Sequence, residues 1–293
     1  VLVKIHAASI NYGNLVLIKG EPWLARLIYG FIKPKYPIPG GDVAGQIEAV
    51  GTLVKSFKPG DEVFGDLSGV GWGGFAEYVS VPENVLVKKP ANLSYEEAAA
   101  VPMAAVTALQ SLRDKGKIKH GQKVLIYGAS GGVGTFAIQI AKSFGAEVTA
   151  VCSTRNINIA KSLGADNVVD YTNTDVGKHF GHYNVILGVN GCQPLSVYKR
   201  ALAQNGTFIH VGGSESQMFQ TMIQGPLISL TGNKKVVLFL QKQNTSDLNF
   251  MKELIEAGNV KPVIDRCYKL SEVPEAISYF AEGHAQGKVI ITV

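Results

Sequence analysis

The chain has 293 residues, 46% apolar and 17% charged, with a formal net charge of +5. Such a length suggests about two domains, and such an apolar content supports packed cores and argues against disorder. The charge is mild and scattered apart from Lys33/Lys35 and Lys115/Lys117/Lys119; without interleaved aromatics around Lys115 it argues against a nucleic-acid partner, while suiting an anionic cofactor.

Residues Val1 to Ala7 already alternate as a strand, without Met and without a lead-in. The numbered chain therefore reads as a fragment, and a targeting signal in the preceding piece would not be seen here. From 1 to about 92, short β-like runs recur at Val43–Gly51, Asp61–Gly65 and Phe75–Val81, with turns such as Pro59-Gly60-Asp61 between them. This pattern predicts a small β-barrel or sandwich. Inserted into it is Glu21–Lys35, where Trp23/Leu27 and Leu24/Leu27/Ile28/Phe31 have helical spacing. Two roles stay open for it. It is a hydrophobic lid or contact for a greasy substrate, or it is a helix packed onto its own barrel.

From about 93 the character changes. Ser94 and Glu97 form a predicted capping box, an Ala-rich run follows to Ala100, and Pro102 is expected to break it. Thr107–Lys115 reads as a second helix. Strands and helices then alternate: strands at Val124–Tyr127, Glu147–Cys152, Val168–Asp170, Val185–Val189, Phe208–Gly212 and Val236–Gln241, helices at Gly134–Phe144, Ile157–Leu163 and Phe250–Ala257. Alternation of this kind builds a doubly wound parallel sheet. Beyond about 265 the pattern is strand-like again, ending in Lys288–Val293 after a short helix at Val273–Ala281, which suggests a return to the first domain.

The most informative stretch is Val124 to Lys142, a buried strand, a glycine turn (Gly128-Ala129-Ser130-Gly131-Gly132-Val133-Gly134) and an immediate helix. That geometry aims backbone N–H groups at a phosphate, so it predicts dinucleotide binding, against a tight turn without ligand as the bland alternative. Readers of NAD place a carboxylate on the ribose about 20 residues later. Here the next strand ends in Val151-Cys152-Ser153-Thr154-Arg155, with no carboxylate. Ser153 can donate to a 2′-phosphate and Arg155 can pair with it, so NADPH is the predicted cofactor. Val189 and Gly212 end parallel strands, where ligands of such sheets lie.

Cys152, Cys192 and Cys267 lie far apart without a Cys-x-x-Cys pair. That argues against a zinc cluster and fits a reducing compartment, read as the cytoplasm. No apolar run reaches the roughly 18 residues of a membrane span.

Several segments together resemble the medium-chain dehydrogenase/reductase superfamily, in its zinc-lacking quinone oxidoreductase branch. They are Ala8–Asn11, Pro39–Gly45, Lys58–Val63, Gly73–Tyr78, the glycine turn, Leu163–Asp166, Gly206–Phe208 and Gly283–Lys288. The resemblance implies a GroES-like β-barrel domain (1–92 and 267–293) plus a doubly wound Rossmann domain (93–266), with the active site in the cleft between. It also implies Ser130, Gly131, Gly132 and Val133 on the pyrophosphate, and Tyr171 on the 2′-phosphate or adenosine. Phe239 and Gln241 are expected on the nicotinamide side, His284, Ala285 and Gln286 beside the cofactor, and Thr107 at the opening of a helix that faces the cleft. Homodimers are common in such relatives.

Zinc-dependent relatives carry Gly-His-Glu where this chain has Gly40-Gly41-Asp42, and the four-cysteine lobe is missing. The expectation is a metal-free enzyme, which disfavours alcohol oxidation and favours quinones or α,β-unsaturated carbonyls as substrates. The family's Asn-x-x-Asp pattern is Asn11-Tyr12-Gly13-Asn14 here, so position 14 inherits no role. Asn11 is a weak candidate to orient substrate or nicotinamide, against a structural turn role. Enoyl-thioester reductase relatives use a Tyr for proton donation where this chain has Lys19–Pro22; Tyr12, Tyr29 and Tyr36 are not separated by spacing, and solvent is an alternative donor. The expected function is NADPH-dependent hydride transfer. A sensor or interaction protein that binds NADP(H) with little turnover stays open beside it.

Overall fold

The computed structural model describes residues 1–21, 23–178, 181–190, 193–213 and 215–293. Cys192 and the side chain of Leu24 lie outside the described set. Two compact units form, one from Val1–Val106, Gln243–Gly258 and Pro262–Val293, the other from Thr107–Lys242 and Asn259–Lys261.

The first unit is built on a seven-stranded sheet. Its strands are β1 (Leu2–Ser9), β2 (Asp42–Ala49), β3 (Glu62–Asp66), β4 (Tyr78–Ser80) and β5 (Leu86–Lys88), completed late in the chain by β12 (Ile264–Lys269) and β13 (Lys288–Thr292). The order is β12-β13-β1-β2-β3-β5, with β4 also on β1. Alternation in β1 does what the pattern requires: Val3 and Ile5 are buried while Lys4 between them is exposed. Val3, Ile5, Val43, Ile47, Val63, Val289 and Ile291 meet in one apolar core. The C-terminal strand pairs antiparallel with the first one, Ala7 opposite Thr292 and Ser9 opposite Ile290.

The second unit holds six strands. They are β6 (Lys123–Tyr127), β7 (Glu147–Cys152), β8 (Asn167–Asp170), β9 (Tyr183–Gly188), β10 (Leu202–His210) and β11 (Lys235–Leu238). All five pairings are parallel and the order is β11-β10-β9-β6-β7-β8. Val124, Leu125 and Ile126 are fully buried, so both faces of β6 are covered and the strand reads as a continuous apolar run. The chain starts at β6, runs outward to β8 and resumes on the other side at β9. Reversals of this kind open a crevice at the carboxyl ends of the strands.

Several elements depart from the sequence expectation. The Ala-rich helix Tyr95–Ala99 stops ahead of Pro102 as expected, but Pro102 also starts a helix, Pro102–Leu109; the first-turn N–H that proline lacks has no partner in any helix. Thr107 is therefore interior to this helix, which continues as a π-helical turn at Gln110–Lys115. Helices at Tyr12–Lys19, Leu195–Ala201 and Glu215–Thr231 were not expected; the last carries Gly225 and Pro226 inside it. β11 stops at Leu238, short of Gln241, and the run Phe75–Val81 pairs only at Tyr78–Ser80. The insertion forms a turn at Trp23–Ala25 and one helical turn at Arg26–Tyr29. Trp23 is 64% exposed, Phe31 67% and Ile32 91%, so this segment does not pack its apolar face onto its own barrel. Tyr29, which is half-buried, lies edge-on to Trp72 with ring centres 6.1 Å apart. Among the described residues, no helix is long and apolar enough to cross a membrane.

Candidate functional site

Because the six strands are parallel, the residues that follow them share the carboxyl edge of one sheet, ordered by strand position. From the β11 side these are Phe239 and Gln241, Gly212 after β10, Val189 after β9, Ser130 to Val133 after β6, Ser153 and Arg155 after β7, and Tyr171 after β8. Eleven expected cofactor residues scattered over more than a hundred positions thus follow strands along one sheet edge. Phe239 is buried and its N–H donates to His210 at 2.9 Å; Val189 N–H donates to Tyr127 at 3.0 Å. Tyr171 is 48% exposed.

The glycine turn explains its own sequence. Gly128 has φ +81°, and a Cβ on Gly134 would collide with the Gly128 carbonyl and sit 2.7 Å from Ala129 Cα. The helix Gly132–Ser143 consequently starts hard against the strand end. Its first N–H groups, at Gly132 and Val133, have no intrahelical acceptor and carry the positive end of the helix dipole.

Two groups here escaped the sequence reading. Asn156 is 4% exposed, and its Nδ2 donates to Ser130 Oγ at 2.9 Å and to Ser153 Oγ at 3.1 Å. Asp170 ends β8 opposite Cys152 and brings a carboxylate to the place where the sequence shows none. It is closed off by donors: Thr154 Oγ1 at 2.6 Å and Asn173 Nδ2 at 2.9 Å on one oxygen, Thr172 N at 2.9 Å and Thr172 Oγ1 at 2.7 Å on the other. Those bonds, led by Thr154, hold its pKa down to about 2. His210, at the end of β10, is buried, and burial pushes its imidazole below the usual histidine range.

The first unit has a different polar centre. Lys288 opens β13, Asp42 opens β2 and Ser9 closes β1, so the register of the three strands gathers them. Lys288 Nζ lies 3.5 Å from Asp42 Oδ2, 2.5 Å from Asn11 Oδ1 and 3.2 Å from the Ile10 carbonyl oxygen. Asp42 also accepts from Asn11 Nδ2 at 2.8 Å, Ser9 Oγ at 3.0 Å and Met103 N at 3.0 Å. Lys288 is 3% exposed and Asp42 is fully buried; desolvation pushes the lysine down and the carboxyl up, against their mutual attraction. Asn11 is thereby gripped on both ends of its amide, leaving one N–H to donate elsewhere.

At Gly41, the position of the zinc-ligand imidazole in metal-dependent relatives, a Cβ would meet Met103 Cε and Trp72 Cζ3, each at 3.3 Å. The space belongs to an indole and a thioether, so a side chain of imidazole size does not fit there without displacement. Trp72 adopts φ +63°, uncommon for a bulky residue, and is 3% exposed. No set of three His, Cys, Asp or Glu suited to a metal occurs among the described residues.

His284, Ala285 and Gln286 belong to the first unit, just before β13; Gln286 N–H donates to Asp265 at 3.1 Å. Thr107 is buried within its helix. A polar groove of about 420 Å³ lined by Ser56, Glu83, Lys88, Asn249 and Lys252 includes none of the expected site residues.

Comparison with known proteins agrees with this construction. Residues 1–91 match the family model "Alcohol dehydrogenase GroES-like domain", and residues 163–291 match "Zinc-binding dehydrogenase". The chain is 38% identical to the chloroplast envelope quinone oxidoreductase homolog of Arabidopsis thaliana, over 99% of this chain and 89% of that one. It is 33% identical to the mitochondrial NAD(P)H oxidoreductase RTN4IP1 of Danio rerio, covering 100% and 83%. The solved quinone oxidoreductase from Coxiella burnetii superposes with a TM-score of 0.86 at 27% identity, covering 100% of this chain and 90% of that one.

Proposed function

From the premise that the chain belongs to the medium-chain dehydrogenase/reductase family and is an oxidoreductase, we propose that it reduces quinones or α,β-unsaturated carbonyls with NADPH and without zinc. The observation that carries this reading is the end of β7. Ser153, linked through Asn156 to Ser130 of the glycine turn, and Arg155 follow that strand, and the neighbouring carboxylate Asp170 has its acceptor positions filled by four donors. An anionic 2′-phosphate finds a hydroxyl and a guanidinium; a ribose 2′-OH finds no open carboxylate.

NADPH, when bound, supplies a hydride. The chain's own residues supply placement. In this proposal the N–H groups of Gly132 and Val133, with Ser130 and Gly131, hold the pyrophosphate, Tyr171 borders the adenosine end, and Phe239, Gln241, Gly212 and Val189 border the nicotinamide. His284, Ala285, Gln286 and Thr107 are assigned beside the cofactor on the family resemblance alone. Asn11, held by Lys288 and Asp42, orients substrate or nicotinamide through its remaining N–H. With Gly41 unable to ligate a metal and its surroundings filled, charge that develops on the substrate oxygen is carried by the conjugated acceptor itself. Its proton comes from solvent.

The test is steady-state NADPH oxidation against a panel of quinones and enones, with chelator added in parallel. Turnover insensitive to chelator is expected. Tight NADPH binding with no oxidation across the panel would refute the reading and favour the sensor alternative.

Four further assignments go with this function. The functional domains are 1–92 with 267–293, and 93–266. The exposed side chains Trp23, Leu27, Ile28, Phe31 and Ile32 form a contact for a greasy acceptor such as a prenylated quinone. The assembly is a homodimer through the second unit: β11 is an edge strand, and the adjoining helix exposes Phe219, Met222, Ile223, Leu227 and Leu230. The sparse cysteines keep the cytoplasm as the proposed compartment, checked by imaging the tagged full-length protein.

A further inference from the structure

We infer that Asn156, a residue outside every expected contact, sets the cofactor preference by fixing which way two serine hydroxyls point. The inference rests on the NADPH reading and adds a positioning residue to it.

The geometry is specific. Ser153 precedes the short turn Thr154–Asn156, whose Asn156 N–H donates to the Ser153 carbonyl at 2.9 Å. That turn folds the Asn156 side chain back beneath the strand ends, where it is 4% exposed. Its two amide hydrogens then go to two different oxygens, Ser130 Oγ at 2.9 Å and Ser153 Oγ at 3.1 Å. The serines belong to different loops, one in the glycine turn after β6 and one after β7. Both are half-buried, so they stand between Asn156 and solvent.

Hydrogen-bond inventory does the rest. A hydroxyl has one hydrogen and can accept as well. Because Asn156 donates to both oxygens, neither serine spends its hydrogen on Asn156. Among the described residues, no other acceptor for either hydroxyl is found. Both O–H groups are thus left to donate toward whatever lies above them. A pair of outward donors suits phosphate oxygens, which only accept. An amide facing the other way would draw both hydroxyl hydrogens inward and present lone pairs to the ligand. The amide oxygen of Asn156 is buried without a hydrogen-bond partner, so the donor arrangement leaves an acceptor unsatisfied. An unsatisfied buried acceptor costs free energy; a hydroxyl polarity that phosphate binding uses offsets it in the bound state. Ser130 would serve the pyrophosphate, common to both nicotinamide cofactors. Ser153 would serve the 2′-phosphate that only NADPH carries.

Asp at position 156 conserves the shape and replaces the donors by acceptors. Both hydroxyls then turn inward and a negative charge is added beneath the phosphates. Kd values for NADPH, NADH and 2′,5′-ADP would be measured by titration calorimetry on the intact protein, for the wild type, Asn156→Asp, Asn156→Ala, Ser153→Ala and the double variant Ser153→Ala/Asn156→Ala. Asn156→Asp is expected to cut the NADPH-over-NADH preference at least tenfold. Asn156→Ala, which neither donates nor accepts, is expected to cut it less. If Asn156 works through Ser153, then in the Ser153→Ala background Asn156→Ala leaves the preference within twofold of Ser153→Ala alone; a purely structural role would give independent losses. A wild type that binds NADH as tightly as NADPH overturns the cofactor reading and this inference with it. A wild type that prefers NADPH, with a preference untouched by Asn156→Asp or with additive losses in the cycle, overturns this inference alone. Should Asn156→Asp fail to fold, the Asn156→Ala and Ser153→Ala cycle decides.

Discussion

Lys288 and Asp42 carry opposite charges in a place where neither is stable alone. Removing one partner of a buried pair typically costs about 3–5 kcal/mol, because the other is left charged without solvent. Lys288→Met is therefore expected to lower stability by about that amount in urea unfolding, and adding Asp42→Asn should restore a large part of it; a loss below about 1 kcal/mol for Lys288→Met would show that water reaches the pair. The proposed 2′-phosphate site makes a separate prediction. Ser153→Asp with Arg155→Ala places a carboxylate where a ribose hydroxyl would lie, and the ratio of kcat/KM for NADH over NADPH should rise at least tenfold. An unchanged ratio would remove both residues from the site. As candidates, Ser153 and Arg155 were legible because a short window after a strand limits what can read the ribose. Asn156 and Asp170 were not, since their roles depend on which loops and strand ends become neighbours.

At the scale of elements, strong local signals survived folding well. The capping box closed as expected, Ser94 N–H to Glu97 Oε2 at 3.0 Å and Glu97 N–H to Ser94 Oγ at 3.2 Å. β7 and the helix Val273–Ala281 have the limits expected of them. Glu215–Thr231 escaped because Gly225 and Pro226 in its middle read as breakers. Its apolar residues also gave no sign of a core, since Phe219, Ile223, Leu227 and Leu230 face outward. In the proposed homodimer those residues are the covered surface. Ile223→Glu with Leu230→Glu should convert dimer to monomer in size-exclusion chromatography with light scattering, with helicity by circular dichroism retained. A wild-type protein that is monomeric at micromolar concentration would end the dimer proposal.

For the molecule as a whole, the division into a mixed barrel sheet and a parallel sheet was readable from where alternation gives way to strand–helix repeats. Strand order was not, because nothing local says that β9 joins β6 on the side away from β7. That order also sets the acid response. Asp170 sits at the open end of β8, at the sheet's margin, with a folded pKa of about 2 against an ordinary 3.8. A carboxyl lowered in the folded state binds fewer protons there than in the unfolded chain, so its contribution is whole above about pH 4 and is lost as pH falls toward 2. The thermal midpoint should drop across that window, and Asp170→Asn should flatten the drop. Equal slopes in the two proteins would show that the four donors to Asp170 do not persist in solution.

The pairing of β1 with β13 also has a consequence in time. Some 280 residues separate Ser9 from its neighbours on β13, and at about 5–20 residues per second a ribosome takes roughly 15–55 s to make them. Throughout that interval β1 holds one edge open, while the six strands of the parallel sheet are all synthesised and free to assemble. The strands of the parallel sheet are thus all made before the first unit's sheet is complete, and Lys288, which emerges after them, brings the cation that pairs with Asp42.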